Sequence, residues 1–495
     1  MKSKSIPQQQ MLFKPLSNLW SPHAYQKKAV KFLLEHAAAA LFLDPGLGKT
    51  SITLAALKLL ISKKLVNKVL LIAPLRVCHS VWPSEIQKWS DFHHLKVTVL
   101  HGKSKEDNLK SEANIYIINP EGLDWLLASE KSKTPYGKTK VVVDIHRFKA
   151  LGFDTLVIDE LSKFKHTNTN RFKALKQVLH TFGRRWGLTG SPASNGLMDL
   201  FGQCYVLDQG RALGPYISHY RTKYFVPGFD GFSWNLREGA DEEIYARVRP
   251  LALRMAAEDY LDMPQLIENN IKVALPEPVM KVYKQLEDDL IARLDTKVVV
   301  AANAAAASMK CRQVANGGIY LDQEVKALVK LPKSERDWIN LHTAKVDALE
   351  DLVEELQGSP LLVAYDFEHD LDRIKEKLGD VPHIGGGVSV KTSKTLELAW
   401  NQGKLPVLLG HPQSVGHGLN LQGACHHVAW HSLTWDFELY DQMIRRVRRQ
   451  GQKSERVFVH HIMASGTIDE IILMALKSKN RGQQALFQAL KNLRK

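Results

Sequence analysis

The first part of the chain alternates between short apolar runs and stretches in which apolar residues recur at helical spacing. Helical spacing from Tyr25 to Ala40 leads into the apolar run Ala39–Leu43, which stops at Asp44-Pro45-Gly46, and helical spacing resumes from Thr50 to Leu60. The other apolar runs are Val69–Ala73, Lys96–Leu100, Ile115–Ile118, Thr155–Ile158 and Arg185–Leu188. Alternating strands and helices are typical of a doubly wound parallel sheet. We predict one α/β domain over residues 1–212.

A second, smaller α/β unit is predicted towards the end of the chain. It begins with a helix at Thr343, and its apolar runs are Pro360–Tyr365, Pro406–Gly410 and Val428–His431. Between the two units, basic, aromatic and Gly/Pro-rich stretches precede helical patterns at Pro278–Leu294 and Val298–Cys311. We therefore predict a mostly helical insertion and linker over 213–342, a second α/β domain over 343–475 and a basic C-terminal tail over 476–495.

The charge of the chain indicates a polyanionic partner. Its 495 residues include 67 Lys and Arg against 52 Asp and Glu, a formal charge of +15. Basic side chains gain affinity for nucleic acid by displacing the counterions condensed on phosphates, although a merely basic soluble protein remains the alternative. The apolar run Ala37–Leu43 is far shorter than the roughly 20 residues of a membrane helix. We expect a cytoplasmic protein, nucleoid-associated if prokaryotic, with no membrane partner.

The motif Gly46-Leu47-Gly48-Lys49-Thr50 stands between a predicted buried strand and a predicted helix. Glycines let the backbone wrap around phosphates, and the helix N-terminus supplies N–H groups. In this chemistry Lys49 reaches the terminal phosphates and the Thr50 hydroxyl binds magnesium. The strict phosphate-loop pattern requires a glycine where this chain has Leu43, so a glycine turn with a chance lysine is the alternative.

Two carboxylates, Asp159 and Glu160, follow the predicted strand Leu156–Ile158. Such a pair can hold magnesium and orient the attacking water. Strand ends at one edge of a parallel sheet face the same crevice, so we expect both carboxylates to lie near Lys49.

The segment Gln442–Gln452 contains Arg445, Arg446, Arg448 and Arg449. On an isolated helix this pattern is typical of a solvated or nucleic-acid-facing stripe. Across a phosphate cleft, guanidinium groups would instead stabilise the charge on a transferring phosphoryl group.

Taken together, these motifs resemble those of superfamily-two helicases, and specifically the Swi/Snf-type DNA-dependent ATPases in the compact form found in bacteria and their viruses. The resemblance covers roughly residues 20–475. The blocks that carry it, in family order, are Tyr25-Gln26, Gly46–Thr50, Trp82–Trp89, Asp159-Glu160, Leu188–Pro192, Gly416–Asn420 and Gln442–Gln452.

The resemblance implies an α/β fold with two RecA-like parallel-sheet domains, ATP in the cleft between them, a mostly helical insertion and nucleic acid lying across both domains. It implies ATP and magnesium as cofactors. The nucleotide-binding residues would be Gln26, Gly46, Gly48, Lys49, Thr50 and Gln442, with Thr50 and Asp159 on the metal. The catalytic residues would be Lys49, Asp159, Glu160 and the arginine fingers Arg446 and Arg449. Hydrolysis would be coupled to motion by Thr189, Gly190, Ser191, Gly418 and Asn420.

The chain departs from the family pattern at two positions. Leu161 and Ser162 stand where the family usually has a small residue and a histidine, so coupling through that histidine cannot be assumed. Asp44 stands where the family commonly has Glu.

For two further stretches we prefer a structural role to a binding function. Phe225–Trp234 is predicted to be an aromatic hairpin that packs on its own domain, with DNA contact as the alternative. The spacing of the histidines His426, His427, His431, His460 and His461 matches no metal-ligand motif, and both adjacent pairs lie in predicted strands, where neighbouring side chains point to opposite faces.

The function predicted from the sequence is an ATP-dependent translocase on duplex or branched DNA, with replication or recombination proteins as candidate partners. The alternatives are a strand-separating DNA or RNA helicase and, from another class, a non-catalytic DNA-binding module. A wedge hairpin would need some 12 residues between the Gly418–Asn420 segment and Gln442. That interval is already filled by the predicted strand Cys425–His431 and the loop Ser432–Trp435, which favours the translocase. The oligomeric state is not indicated.

Overall fold

The structure is a computed structural model that describes residues 18–133, 139–228, 234–295, 301–321, 338–416 and 418–492. Its larger sheet has seven strands, all parallel. Their spatial order is Ala252–Met255, Ala38–Leu43, Arg184–Thr189, Thr155–Asp159, Val69–Ile72, Ile115–Ile118 and Val97–Val99. We call this sheet with its helices the first lobe. The predicted strands of the first domain are all present within one or two residues.

Helices cover both faces of the first sheet, and two separate apolar cores lie beneath them. The α-helices are Ala24–Glu35, Lys49–Ser62, Leu75–Lys88, Lys105–Lys110, Leu123–Leu126, Ile145–Ala150, Asn170–Val178, Leu200–Asp208, Ile217–Tyr224 and Ala240–Val248. The short 3-10 turns are Ser90–Phe92, Pro120–Gly122, Leu161–Phe164, Leu179–Thr181, Leu197–Asp199 and Ala257–Asp259. A sheet buried on both faces explains why its strands read as continuous apolar runs.

The second sheet has six strands, also all parallel. Their order is Gln265–Val273, Arg456–Ala464, His427–Trp430, Leu361–Ala364, Val407–Gly410 and His383–Ile384. Its helices are Glu277–Asp295, Ala301–Asn316, Ala344–Glu355, Glu368–Leu378, Val390–Asn401, Pro412–Val415, Phe437–Ile444 and Ile468–Asn492. We call this sheet with its helices the second lobe. The predicted α/β class with two parallel sheets is confirmed.

The segment 213–342 contributes to both lobes, whereas the sequence predicted a separate insertion and linker between them. Its strand Ala252–Met255 lies at the edge of the first sheet, and its strand Gln265–Val273 at the edge of the second. Side chains from its helices, including Tyr283, Cys311 and Val314, belong to the core of the second lobe. The strand Gln265–Val273 gave no apolar run because it is an edge strand with exposed polar side chains.

The described residues also contain three antiparallel strand pairs outside the two main sheets: Glu130–Lys133 with Thr139–Val142, Phe225–Pro227 with Trp234–Leu236, and Gly318–Tyr320 with Trp338–Asn340. The second is the predicted aromatic hairpin. Phe225 lies in the first-lobe core and Trp234 packs against it, while the tip, 229–233, lies outside the described residues. Part of the predicted tail continues the helix Ile468–Asn492. Among the described residues, no helix combines the length and apolarity needed to cross a membrane.

His427, His460 and His461 lie in strands of the second sheet. Nδ1 of His427 is 3.1 Å from Nε2 of His460, whereas His461 contacts the Tyr440 hydroxyl at 2.8 Å on the other face of the strand. Within the described ranges, no group of three or more His, Cys, Asp or Glu side chains could hold a metal ion.

Candidate active site

The site forms where three neighbouring strands of the first sheet end. Ala38–Leu43 leads into the loop Asp44–Gly48, Thr155–Asp159 delivers the two carboxylates, and Arg184–Thr189 lies between these strands. The carboxyl ends of parallel strands share one edge, so three stretches far apart in sequence converge there.

The loop Asp44–Gly48, which we call the phosphate loop, depends on two glycines with left-handed backbone. Gly46 has φ +92° and Gly48 has φ +80°, a region that favours glycine. A Cβ on Gly48 would lie 2.5 Å from Nε2 of Gln26, so this glycine also lets the two segments approach. Gln26 donates from Nε2 to the Leu47 carbonyl at 3.2 Å, and its Oε1 accepts from the His23 N–H at 3.0 Å. Gln26 is therefore fixed against the phosphate loop.

Lys49 and Thr50 begin the helix that follows the loop. The Lys49 ammonium donates to the Leu43 carbonyl at 2.8 Å, directly beneath the loop. Burial lowers the pKa of Lys49 to about 8, against the opposing charges of Glu160 and Asp159. An ammonium that has lost part of its hydration gains strongly from a bound anion.

The two carboxylates of the first lobe have different surroundings. Asp159 Oδ2 accepts from the indole N–H of the buried Trp82 at 2.9 Å, and burial raises the pKa of Asp159 to about 6. Glu160 has φ +72°, an uncommon backbone for a non-glycine residue, which is typical of a constrained functional position. Its Oε1 accepts from the Thr189 hydroxyl at 2.7 Å and lies 3.0 Å from Ser162 Oγ.

Thr189, Gly190 and Ser191 connect the carboxylates to the phosphate loop. Besides bonding Glu160, Thr189 Oγ1 accepts from the Ser191 N–H at 3.1 Å. A Cβ on Gly190 would lie 3.3 Å from Cδ of Pro45, so this turn packs directly on the loop. The three residues are thus placed to transmit a shift between the two.

The second lobe supplies the opposite wall of the site. Gln442 lies on the helix Phe437–Ile444, but the arginines follow it in turns rather than on the helix itself. Arg446 donates to the carbonyls of Gly416 at 2.6 Å and Leu419 at 3.2 Å. Arg449 donates to the Asn420 side chain. Nη2 of Arg449 lies 4.0 Å from where a Cβ of Gly46 would stand, so this guanidinium reaches the phosphate loop.

The four arginines divide by their partners. Arg448 pairs with Glu258 at 3.0 Å, and Arg445 pairs with Asp441 at 2.7 Å and, across the cleft, with Asp44 at 3.3 Å. Arg446 and Arg449 bond only neutral oxygens in the part of the chain that the structure describes. Burial, with the like charge of Arg449, lowers the pKa of Arg446 to about 10. Of the four guanidiniums, these two have no ion-pair partner within the described residues.

Asp44, at the family's Glu position, is a buried contact between the lobes. Besides Arg445, it pairs with Arg254 at 2.8 Å and accepts from the Ala257 N–H at 3.0 Å. Although burial opposes the effect, Arg445 and Arg254 hold the pKa of Asp44 well below its usual range. The carboxylate therefore stays ionised and links the base of the phosphate loop to the arginine segment.

Gly418 and Asn420 lie where the lobes approach each other. Gly418 has φ +75°, and a Cβ there would lie 3.5 Å from the Arg76 side chain of the first lobe. Arg76 also donates to the Ser414 carbonyl at 3.0 Å. The Asn420 N–H donates to Glu397 at 2.8 Å.

Glu438 and Trp82 are site residues that the sequence analysis did not single out. Glu438 Oε1 accepts from Nε2 of Gln442 at 3.2 Å and from the Ser162 hydroxyl at 2.7 Å. Burial, followed by the charge of Glu160, raises the pKa of Glu438 to about 7. In the sequence, Glu438 could have been found from its position one helical turn before Gln442. Trp82 could have been found because it belongs to the Trp82–Trp89 block.

Between the lobes lies a cleft of about 630 Å³ that brings together all of the predicted site residues except Thr189, which stands behind Glu160. Two buried polar atoms, Oε1 of Gln442 and Nε of Arg446, have no hydrogen-bond partner within the described residues. The glycine loop, the partly buried Lys49 ammonium and these two atoms fit a nucleoside triphosphate. The hydroxyl of Thr50 and the carboxylate of Asp159 also line the cleft and are the oxygen ligands that magnesium prefers.

The comparisons with known proteins agree with this geometry. The sequence pattern of the SNF2-related domain matches residues 25–327, and the chain belongs to this family. Its predicted class, a DNA-dependent ATPase of helicase superfamily two, is thereby confirmed.

Individual relatives include a viral protein of the same size. The chain is 33% identical over 489 residues to protein p41 of Acyrthosiphon pisum secondary endosymbiont phage 1, covering 95% of this chain and 99% of that protein. It is 24% identical to YwqA of Bacillus subtilis, covering 94% of this chain but 48% of that protein. The solved structure of the Sulfolobus solfataricus SWI2/SNF2 ATPase core in complex with dsDNA is similar at TM-score 0.42 and 22% identity, covering 96% of this chain and 95% of that one.

Proposed function

We propose that the protein is an ATP-dependent translocase on duplex DNA that remodels DNA or DNA–protein structures. The observation that carries the proposal is the shared cleft. Lys49 and Glu160 belong to the first lobe, whereas Arg446 and Arg449 belong to the second. Because the nucleotide would need both walls, the cleft would close and open as ATP is bound, hydrolysed and released. Alternating grip by the two lobes would then move the protein along DNA.

The residues of the cleft would have separate roles in hydrolysis. Lys49 would bind the terminal phosphates, and Glu160 would orient the attacking water. Thr50 and Asp159 would hold magnesium, which when bound neutralises developing phosphate charge. Arg446 and Arg449, which lack carboxylate partners within the described residues, would stabilise the charge of the transition state.

The path of the second lobe favours translocation over strand separation. Residues 418–492 are described without a gap, and between Asn420 and Phe437 they contain a single strand, His427–Trp430. That strand lies inside the sheet, between Leu361–Ala364 and Arg456–Ala464. This interval therefore contains no β-hairpin that could act as a wedge. The name of the Bacillus subtilis relative refers to ATP-dependent helicase/translocase activity, which supports the general class.

We expect the protein to displace a triplex-forming third strand but not to separate a plain duplex with a single-stranded tail. A translocase that tracks along an intact duplex removes what lies in its groove without opening base pairs. Release of a labelled third strand and of a labelled tailed strand would be measured with and without ATP, in the same buffer.

Tailed-strand release without third-strand displacement would support the alternative of a strand-separating helicase. In that case the hairpin of Phe225–Pro227 and Trp234–Leu236 would be the candidate wedge. Absence of both activities, together with no ATP hydrolysis on any DNA, would support the non-catalytic DNA-binding module.

We further expect affinity for random-sequence duplexes to fall steeply with salt and to depend little on sequence. The formal charge of +15 offers phosphate contacts, each of which contributes about 0.9 to the slope of log affinity against log salt. Titrations of two unrelated duplexes across a salt series would measure both properties. A nearly flat salt response, or strong preference for one sequence, would contradict phosphate-dominated binding.

A further inference from the structure

The lobes also meet in a polar cluster behind the catalytic carboxylate, formed by Glu160, Ser162, Lys165 and Glu438. Glu438 enters from the second lobe, and its side chain is only 8% exposed. Its Oε1 accepts from the Ser162 hydroxyl at 2.7 Å, and its Oε2 lies 3.5 Å from the Lys165 ammonium. Ser162 Oγ is at the same time 3.0 Å from Oε1 of Glu160. One hydroxyl thus bridges the candidate base of the first lobe and a carboxylate of the second.

We propose that Ser162 and Glu438 are a positioning pair through which docking of the second lobe controls the hydrogen bonding of Glu160. The proposal rests on ATP hydrolysis in the cleft and deepens it by naming the residues that make turnover depend on lobe closure. Neither side chain touches the reacting atoms, and both act through Glu160 and Gln442.

The direction of control follows from the hydrogen count of a hydroxyl. Ser162 has a single hydrogen and can donate it to one carboxylate at a time. With Glu438 docked, the shorter contact takes that hydrogen, and Glu160 Oε1 keeps the Thr189 hydroxyl as a donor. With the second lobe withdrawn, the Ser162 hydrogen turns to Glu160 and competes with the attacking water for the carboxylate. Docking therefore releases Glu160 for catalysis.

The same contact orders the opposite wall. Glu438 accepts from Nε2 of Gln442 at 3.2 Å, one helical turn away. The carboxylate that bonds Ser162 therefore also fixes Gln442 in the cleft. Lys165 pairs with Asp199 at 3.4 Å as well as with Glu438. The ammonium therefore keeps Asp199 as a carboxylate partner when the second lobe withdraws. This lowers the free energy needed to separate the lobes in each cycle.

The test is a double-mutant cycle with Ser162→Ala, Glu438→Gln and both together. ATP turnover would be measured with saturating duplex DNA at about pH 7.5, above the pKa of Glu438 and below that of Lys49, so that most of the carboxylate and most of the ammonium are charged. Ser62→Ala and Glu470→Gln are the matched controls, because Ser62 bonds only a carbonyl of its own helix and Glu470 forms an ion pair at the surface. Rates would be divided by the fraction of protein that binds a fluorescent ATP analogue, which corrects for misfolded material.

Glu438→Gln is expected to lower kcat about tenfold, the scale of one hydrogen bond to a charged group, with KM for ATP changed less than about twofold. Ser162→Ala removes the hydrogen that competes for Glu160, so its kcat is expected to stay within about twofold of wild type, and adding it to Glu438→Gln is expected to restore most of the lost turnover. A double variant as slow as Glu438→Gln, a change in KM alone, or a Glu438→Gln rate equal to that of its control would overturn the pairing. Lys49→Ala, assayed alongside, tests hydrolysis in this cleft independently of the pair.

Discussion

Lys49→Ala is expected to abolish ATP hydrolysis, by on the order of 10³-fold or more, while DNA binding stays within a few-fold of wild type. The partly buried Lys49 ammonium lies at the phosphate loop, where it donates to the Leu43 carbonyl and interacts with the charges of Glu160 and Asp159. Lys88 also lines the cleft, but its ammonium lies over the Trp89 ring, 4.5 Å from the ring centroid. Steady-state ATPase rates and duplex binding at fixed salt would be measured on the same preparation.

The matched control for this prediction is Lys63→Ala. Lys63 is exposed and lies at the other end of the same helix, roughly 20 Å from Lys49 at 1.5 Å per residue. It removes the same charge without touching the cleft, so its turnover should equal that of wild type. Hydrolysis by Lys49→Ala within a few-fold of wild type would mean that the nucleotide site is elsewhere.

The sheets and the first-lobe site could be predicted from the sequence because their signals are local. The strand Thr155–Asp159 is buried on both faces, so it reads as an apolar run, and the next residue along the chain is Glu160, the candidate catalytic carboxylate. The phosphate loop is likewise fixed by a strand before it, a helix after it and glycines at positive φ. Parallel pairing then brings such strand ends to one edge without further information.

The remaining features could not be predicted because they depend on contacts between distant segments. Gln265–Val273 is an edge strand whose polar side chains are exposed, so it lacked the apolar run of the inner strands. Asp44 is joined to Arg254 by the pairing of two first-sheet strands that lie far apart in sequence. The contacts of Asp44 with Arg445 and of Ser162 with Glu438 form only when the lobes dock. In the sequence, none of these residues differs from the many other polar residues of the chain. Their partners are set by strand pairing and by the packing of the lobes, which periodicity does not encode.

The arginine segment shows where a motif predicts identity but not environment. The sequence predicted a segment with four arginines, and the resemblance to the Swi/Snf-type family assigned the role of fingers to Arg446 and Arg449. The structure adds a physical reason for that choice, since Arg445 and Arg448 are already paired with carboxylates. A guanidinium neutralised by Asp44 and Asp441 has less charge to offer a phosphate than one that bonds carbonyl groups.

Arg446→Ala and Arg449→Ala are each expected to lower kcat by about 10³-fold or more, with only a modest loss of ATP binding. Both guanidiniums are held by neutral oxygens, Arg446 by the Gly416 and Leu419 carbonyls and Arg449 by the Asn420 side chain. A group that acts on transition-state charge contributes little to the ground state, so its loss appears in kcat rather than in nucleotide affinity. Turnover with saturating duplex DNA and titration with a fluorescent ATP analogue would separate the two.

Arg448→Ala is the control, because its guanidinium pairs with Glu258 and donates to the Pro264 carbonyl away from the cleft. Its kcat is expected to stay within a few-fold of wild type. Arg445→Ala is expected to be less severe than the two fingers, since Asp44 keeps Arg254 as its partner when Arg445 is removed. If Arg445→Ala and Arg448→Ala proved the severe pair, the assignment of the fingers would be wrong. The contact between Arg445 and Asp44 would then be the one that couples the arginine segment to the phosphate loop.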